Sequence, residues 1–172
     1  MEKRFHKGEY VKYSSNGVCR VEDIKSADIN PRDKEATYYI LKPLSSGNTT
    51  IFVPTENELL VSRIRKILTK EQIDEIIVSI DKETIAWPSD KKERGNYFND
   101  ILKRDDPKEL LSLAAAIYVK RDELAQKGMR LLSTDKNILE QIECLIENEF
   151  SFVLKIAPES VSDYIQERLS KV

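Results

Sequence analysis

The hydrophobic pattern of this chain changes its period once, near Thr69. Before that point, short runs of β-branched and aromatic residues alternate with turn sequences, which is typical of small antiparallel sheets. After it, apolar residues recur at i, i+3, i+4 and i+7, which is typical of amphipathic helices. A chain of 172 residues is long enough for two small cores. We therefore predict an α+β protein with a small β domain at residues 1–62 and an all-α domain at residues 66–172.

Two hairpins are predicted in the first domain. Asn16-Gly17 separates two β-prone runs, and both central residues of the turn that this dipeptide favours take positive φ. A second turn is predicted at 45–48, and the polar stretch from Asp28 to Glu35, with Pro31, is predicted to be a loop. The predicted strands are Tyr10–Tyr13, Val18–Val21, Thr37–Leu41 and Thr49–Val53. Four or five short strands indicate a strongly bent sheet or a barrel of the Tudor or SH3 type.

The last of these strands places side chains on two faces. Because successive residues of a strand alternate, Ile51 and Val53 should face the core while Thr50 and Phe52 face outward. A phenylalanine exposed on a possible edge strand indicates a surface for a partner. The alternative, that Phe52 packs under a loop, is equally open from the sequence.

Five helices are predicted in the second domain. Residue patterns mark the starts of three of them: Thr69 with Gln72 as a capping box, Asp106 before Pro107, and Ser133 or Thr134. The second helix is predicted from Asp90 to Leu102 and the third from Lys108 to about Gln126. The fifth is predicted to start at Ala157-Pro158-Glu159 and to end near Leu169.

The stretch Ile85-Ala86-Trp87-Pro88-Ser89 holds the single tryptophan of the chain. Pro88 pushes the residue before it towards extended conformations, so Trp87 should lie outside a helix. We interpret Trp87 as a large apolar side chain presented on a turn. The alternative is structural, because a lone tryptophan in a soluble domain is most often buried.

Charge is unevenly distributed along the chain, although the net charge of −2 gives no general attraction to nucleic acid. Residues 1–62 carry nine basic and nine acidic side chains and are neutral. Residues 63–134 carry fifteen and thirteen, a net charge of +2, and residues 135–172 carry four and eight, a net charge of −4. The basic segment contains Trp87, but alternating charges also mark an ordinary solvated helix face.

The sequence offers no set of residues from which a catalytic site could be assembled. It has one histidine, His6, five ungrouped glycines, and two distant cysteines, Cys19 and Cys144. We find no phosphate-binding loop, zinc cluster or nucleophile triad. We therefore expect neither an enzyme nor a cofactor or metal. No signal peptide or apolar run of ~20 residues is found, so we expect a cytoplasmic binding adaptor.

Several short motifs follow one another in a specific order and spacing. In the first domain they are Gly8-Glu9-Tyr10-Val11-Lys12-Tyr13, Asn16-Gly17-Val18, Tyr39-Ile40-Leu41-Lys42 and Ile51-Phe52-Val53-Pro54-Thr55-Glu56-Asn57. In the second they are Trp87, Arg94, and Leu132-Ser133 with Lys136. Together these motifs resemble the CarD/CdnL family of bacterial transcription regulators, whose first domain is shared with transcription-repair coupling factor.

The resemblance implies a Tudor-like first domain that docks on the RNA polymerase β subunit, and a helical domain that touches promoter DNA near the upstream edge of the transcription bubble. The residues it implies for polymerase binding are Lys25, Thr50, Phe52 and Pro54. For DNA it implies Trp87 as a wedge at the minor groove, with Lys91, Lys92 and Arg94 on phosphates. The implied role is stabilisation of the open complex by a monomer, without sequence-specific recognition and without a membrane.

Two departures from the family pattern concern these residues. Phe52 stands where members often have arginine, and Pro88 replaces the usual small polar residue in a longer segment.

Two other functions stay open from the sequence. One is a protein-only adaptor, with the β domain on polymerase and the helical domain on another protein, and the other is an SH3-like module linked to RNA or translation.

Overall fold

A computed structural model describes residues 4–26 and 36–171 of the protein. The chain divides into two compact units, Met1–Leu68 and Thr69–Val172. The predicted α+β class is confirmed, with an antiparallel sheet in the first unit and helices in the second. The first unit extends past the predicted limit at residue 62, because it includes one more strand. None of the described helices combines the length and apolar content that crossing a bilayer requires.

In the first unit, the described residues form a five-stranded antiparallel sheet in the order β4-β3-β2-β1-β5. The strands are β1 Tyr10–Tyr13, β2 Val18–Ser26, β3 Thr37–Pro43, β4 Ile51–Pro54 and β5 Ile64–Lys66. A four-residue helix, α1 Glu58–Val61, connects β4 to β5. Among the described pairings, β4 and β5 are the two edge strands, and the closed barrel stays a prediction.

Both predicted hairpins are present, but the first turns differently from the prediction. A single 3₁₀ turn, Ser14–Asn16, joins β1 to β2, and the positive φ angles fall on Ser14 and Gly17 instead of on Asn16 and Gly17. Gly17 is required there because its backbone, at φ 71°, closes a hydrogen bond from Tyr13 N to its own carbonyl. The loop predicted at 28–35 lies outside the described residues.

One face of the sheet forms the core of the first unit. Val53 on β4 and Tyr39 on β3 are buried there, as strand alternation predicts. A shift in register between Val21 and Asp23 marks a bulge in β2, which bends a strand and increases its twist. The remaining members of this core are Phe5, Val11, Tyr13, Cys19, Val21, Leu41, Val61 and Ile64.

The described part of the second unit, residues 69–171, contains five α-helices and two single 3₁₀ turns, Lys82–Thr84 and Pro158–Ser160. The helices are α2 Lys70–Val78, α3 Lys91–Arg104, α4 Pro107–Gln126, α5 Ser133–Leu154 and α6 Val161–Leu169. The residues predicted to start the fifth helix instead form the 3₁₀ turn before α6. The most deeply buried side chains are Ile73, Ile77, Phe98, Ile101, Leu110, Leu113, Ile117, Ile142 and Phe150.

Helix caps account for three of the helix starts. The capping box of Thr69 and Gln72 is confirmed by hydrogen bonds in both directions, and Asp106 caps α4 with Pro107 as its first residue. Asp90 caps α3 by accepting a hydrogen bond from Glu93 N at 2.8 Å. The predicted cap at Ser133 or Thr134 is wrong, because α5 starts after Leu132 without a side-chain cap.

Candidate functional sites

The outer face of the first sheet carries the residues predicted to bind polymerase. Lys25 on β2 stands opposite Tyr38 on β3, which in turn stands opposite Pro54 on β4, so the three form one row across the sheet. Residues that pair directly lie on the same face, and neighbouring strands are about 4.8 Å apart. The backbones of Lys25 and Pro54 are therefore about 10 Å apart, with the buried Tyr38 on the strand between them.

Phe52 lies on the same face, two residues before Pro54. Its side chain is 41% exposed, and its ring meets Tyr38 edge to face at 6.4 Å between centroids. The opposite face of β4 points to the core as predicted, with Val53 buried and Ile51 half-buried. The outward orientation of Phe52 is thus the one that the structure adopts, and Thr50, directly before β4, is also exposed.

Trp87 lies in an irregular segment between the Lys82–Thr84 turn and α3, outside any helix, as its position before a proline predicts. Its ring meets the buried Phe98 edge to face at 5.4 Å between centroids. The Arg94 guanidinium carbon, Cζ, lies 5.2 Å from the centre of the Trp87 ring, and Lys120 Nζ lies 5.9 Å from it. Trp87 is therefore half-buried, neither a core residue nor a freely projecting one.

Arg94 does not fit the prediction that it contacts DNA. It is only 5% exposed, and its guanidinium donates from Nε and Nη2 to the two carboxylate oxygens of Asp135, at 3.2 and 3.0 Å. Nη1 donates to the carbonyl of Pro88 at 2.8 Å. With these donors committed inside the unit, Arg94 is a structural residue of the Trp87 turn, and the prediction is corrected.

Lys91 and Lys92 are exposed in the first turn of α3, directly after the Trp87 segment. The structure adds Lys120 on α4, which sequence reasoning missed. Lys120 approaches Trp87 from a helix that begins twenty residues after the tryptophan, so no local pattern could reveal it. Its Nζ also lies 3.1 Å from Glu123 Oε2 in a partly exposed pair. Two exposed lysines on α3 and the half-buried Lys120 on α4 therefore flank Trp87.

A cleft of about 610 Å³ is a separate feature of the second unit, lined by α4, α5 and α6. Inside it, the hydroxyl of Tyr118 donates a hydrogen bond to Glu143. Burial, together with this carboxylate, raises the pKa of Tyr118 to about 12. Burial and the nearby Glu143 and Glu159 raise the pKa of Glu147. Among the described residues, no group of three or more potential ligands could hold a metal ion.

Comparison with known proteins bears on the first unit. Residues 5–68 match the family described as CarD-like/TRCF RID domain. The N-terminal unit is a CarD-like RID domain. The match ends at Leu68, the residue at which the first compact unit also ends. The family resemblance seen in the sequence is thus confirmed over the unit that carries Phe52.

This CarD-like assignment has a direct consequence for the partner of the protein. RID domains are RNA polymerase-interacting domains, which points to polymerase as the partner and to a role in transcription. Residues 69–172 lie outside the matched segment. No curated protein matches the chain.

Proposed function

We propose that this protein is a bacterial transcription regulator that docks on the RNA polymerase β subunit through its Tudor-like first unit and contacts promoter DNA at the upstream bubble edge through its second. It stabilises the open complex without reading sequence. It acts as a monomer in the cytoplasm, catalyses no reaction and needs no cofactor. The observation that carries the proposal is the RID-domain match over residues 5–68, the unit whose outer sheet face exposes Phe52.

The polymerase contact is assigned to the outer face of β3 and β4. Phe52 supplies an exposed aromatic side chain that packs on the buried Tyr38, and aromatic residues are enriched in protein interfaces. Lys25 supplies a positive charge at the end of the same row. Because β4 is an edge strand among the described pairings, its outer side is also open to backbone contacts with a partner.

The DNA contact is assigned to the Trp87 turn and its flanking lysines. An apolar wedge inserted at a base step holds distorted DNA, at a cost of a few kcal/mol per step that other contacts offset. Lys91, Lys92 and Lys120 would supply phosphate contacts, which position a protein without reading sequence. Residues 135–172 carry a net charge of −4, so we expect weak DNA binding by the isolated protein. Polymerase would overcome this weakness by tethering the protein at high effective concentration.

The test is the lifetime of the open complex on a promoter, measured with the cognate polymerase and either wild-type protein or Trp87→Ala. We expect wild type to lengthen the lifetime and Trp87→Ala to lose most of that effect while still binding polymerase. Equal behaviour of the two proteins would assign the effect to the first unit alone. An unchanged lifetime with wild type would refute the proposed role.

Polymerase docking has its own test, with a matched control in the same unit. Phe52→Ala should weaken binding to the β subunit, since it removes an exposed aromatic side chain from the proposed contact face. Leu59→Ala removes an apolar side chain that is 69% exposed on α1 and should leave binding unchanged. Equal losses in both variants would place the contact elsewhere or spread it over the unit.

A second candidate function is favoured by the packing of Trp87 on Phe98. In a protein-only adaptor, the first unit binds polymerase and the second binds another protein, with Trp87 serving the fold or that interface. Trp87 emission distinguishes the two, since it is the only tryptophan. With 5-hydroxytryptophan incorporated into this chain, its emission can be excited apart from the tryptophans of polymerase. A melted promoter fork added with polymerase should quench this emission if Trp87 meets bases and should leave it unchanged if the second unit binds only protein.

A further inference from the structure

A chain of buried polar contacts connects the start of α5 to the Trp87 turn. Asp135 lies in the first turn of α5 and is 3% exposed. It holds Arg94 of α3 through two hydrogen bonds, and Arg94 holds the carbonyl of Pro88 through a third. The Arg94 guanidinium also lies 5.2 Å from the centre of the Trp87 ring. We propose that Asp135 is a positioning residue for Trp87, acting through Arg94.

The geometry of arginine explains why the single side chain of Arg94 can connect Asp135 to the Trp87 turn. A guanidinium carries its donors in a rigid plane, so fixing two of them on a carboxylate also fixes the direction of the third. Here Nε and Nη2 are fixed by Asp135, and Nη1 therefore points at the Pro88 carbonyl. The residue that follows Trp87 is thereby held in place from a helix far along the chain.

Both partners of this ion pair are buried, so removing one of them is costly. The side chains of Arg94 and Asp135 are 6% and 5% exposed, so water cannot replace either partner. If Asp135 lost its charge, Arg94 would be a buried cation without a counter-ion, an arrangement that proteins avoid. Arg94 would then turn towards solvent and release both the Pro88 carbonyl and the ring of Trp87. We therefore expect the position of Trp87 to depend on Asp135, which does not itself touch the ring in the described contacts.

Two variants test the positioning without involving polymerase. Asp135→Asn keeps the shape of the side chain and removes the charge. Arg94→Lys keeps a positive charge beside Asp135, but its single ammonium cannot serve the carboxylate with two donors and the Pro88 carbonyl with a third. The matched control is Val161→Ala, which makes a cavity at a fully buried position on α6.

The readout is Trp87 emission and its quenching by acrylamide in full-length protein that far-UV circular dichroism shows to be folded. We expect red-shifted emission and stronger quenching in Asp135→Asn and Arg94→Lys, and no change in Val161→Ala. Folded Asp135→Asn and Arg94→Lys proteins with wild-type emission and quenching would overturn the inference. An equal shift in Val161→Ala would also overturn it, because the shift would then report general loosening. Should Asp135→Asn fail to fold, Arg94→Lys decides alone.

The consequence for transcription rests on the proposed function and is tested separately. Asp135→Asn should lose most of the effect that wild type has on open-complex lifetime, and adding Trp87→Ala should cause no further loss, since both act through one side chain. If emission shifts but Trp87→Ala itself leaves the lifetime unchanged, the proposed function fails and the positioning stands. If Trp87→Ala shortens the lifetime and Asp135→Asn does not, the positioning role is refuted.

Discussion

The hydroxyl of Tyr164 donates a hydrogen bond to Asp74 Oδ1 at 2.6 Å, joining the last helix of the second unit to its first. Arg168 completes the contact, with Nε 3.1 Å from the same oxygen and Nη2 donating to the Tyr164 hydroxyl at 3.1 Å. Burial and the Asp74 carboxylate both raise the pKa of Tyr164. One carboxylate on α2 thus holds two side chains that lie one turn apart on α6.

Asp74→Ala should therefore loosen α6 while the rest of the unit stays folded. Hydrogen bonds to a charged group contribute about 1.5–3 kcal/mol each, and partial exposure of this cluster places the expected loss near the lower value. A loss of about 1.4 kcal/mol raises the local opening equilibrium roughly tenfold. Native-state hydrogen exchange over Val161–Leu169 measures this directly.

Glu167→Ala serves as the control for that experiment. Glu167 belongs to the same helix but pairs with Lys171 on the exposed surface, where i, i+4 pairs contribute only about 0.3–0.5 kcal/mol. Its exchange rates should stay close to those of wild type. Equal acceleration in both variants would mean that α6 is held by its apolar side chains and not by Asp74.

The buried pair of Arg94 and Asp135 should matter far more for stability than any exposed pair. Removing one partner of a buried ion pair typically costs about 3–5 kcal/mol, because it leaves the other charge buried and unpaired. Asp135→Ala should lower the free energy of unfolding of the second unit by that amount, measured by urea titration of Trp87 emission. Glu109→Ala, which breaks the half-exposed pair with Arg104, should cost about 0–1 kcal/mol. Similar losses in the two variants would contradict the structural role of the pair.

Local sequence signals predicted most of the fold. The two hairpins and the starts of α2 and α4 depend on residues within a few positions of one another, where steric rules and caps operate. β5 was missed because Ile64-Arg65-Lys66 is too short to show alternation, and it forms a strand only by pairing with β1. The start of α5 was misplaced because Leu132 carries no capping side chain to mark it.

For the candidate sites too, features set by neighbouring residues could be predicted, and those set by long-range packing could not. Phe52 follows from the two-residue period of a strand, and the turn at Trp87 follows from the proline after it. The burial of Arg94 could not be predicted, because its partner Asp135 lies 41 residues away and charged side chains are mostly exposed. Lys120 reaches Trp87 only through the packing of helices, which no spacing in the sequence records.

The two cysteines should differ sharply towards thiol reagents. Cys19 is fully buried in the first sheet, and burial raises its pKa from 9.0 to about 11, whereas Cys144 is exposed on α5. The thiolate is the reactive form of cysteine. The raised pKa of Cys19 lowers its thiolate fraction about a hundredfold near neutral pH, in addition to the steric protection that burial provides. We expect one thiol to react rapidly in native protein and both to react after denaturation.

Cys144→Ser provides the assignment for this thiol measurement. It should remove the rapid phase and leave only the slow one. Two rapid thiols in native wild type would show that the first unit opens frequently enough to expose Cys19, and would contradict its buried position in the core.

Alkaline pH should destabilise the second unit partly through Tyr118. Its pKa is raised from 10.0 to about 12, first by burial and then by the hydrogen bond to Glu143, so the folded protein retains a proton that the unfolded chain releases near pH 10. The stability that this group contributes is fully present below pH 10 and is lost as pH rises to about 12. Tyr118→Phe cannot ionise, so its unfolding free energy should fall less than that of wild type over this window. At pH 8 the same variant should cost about 1–2 kcal/mol for the lost hydrogen bond.

Urea titrations of Trp87 emission at pH 8 and pH 11 measure this difference in slope. Tyr164 and Cys19, whose pKa values are also raised, are present in both proteins, so their effects cancel in the comparison. Tyr97→Phe is the matched control, because Tyr97 is half-buried on α3 and packs on Phe98 without a hydrogen bond of its hydroxyl among the described contacts. It should follow wild type at both pH values. If Tyr118→Phe also follows wild type, the phenol is solvated in solution and the cleft that encloses it is more open than the structure describes.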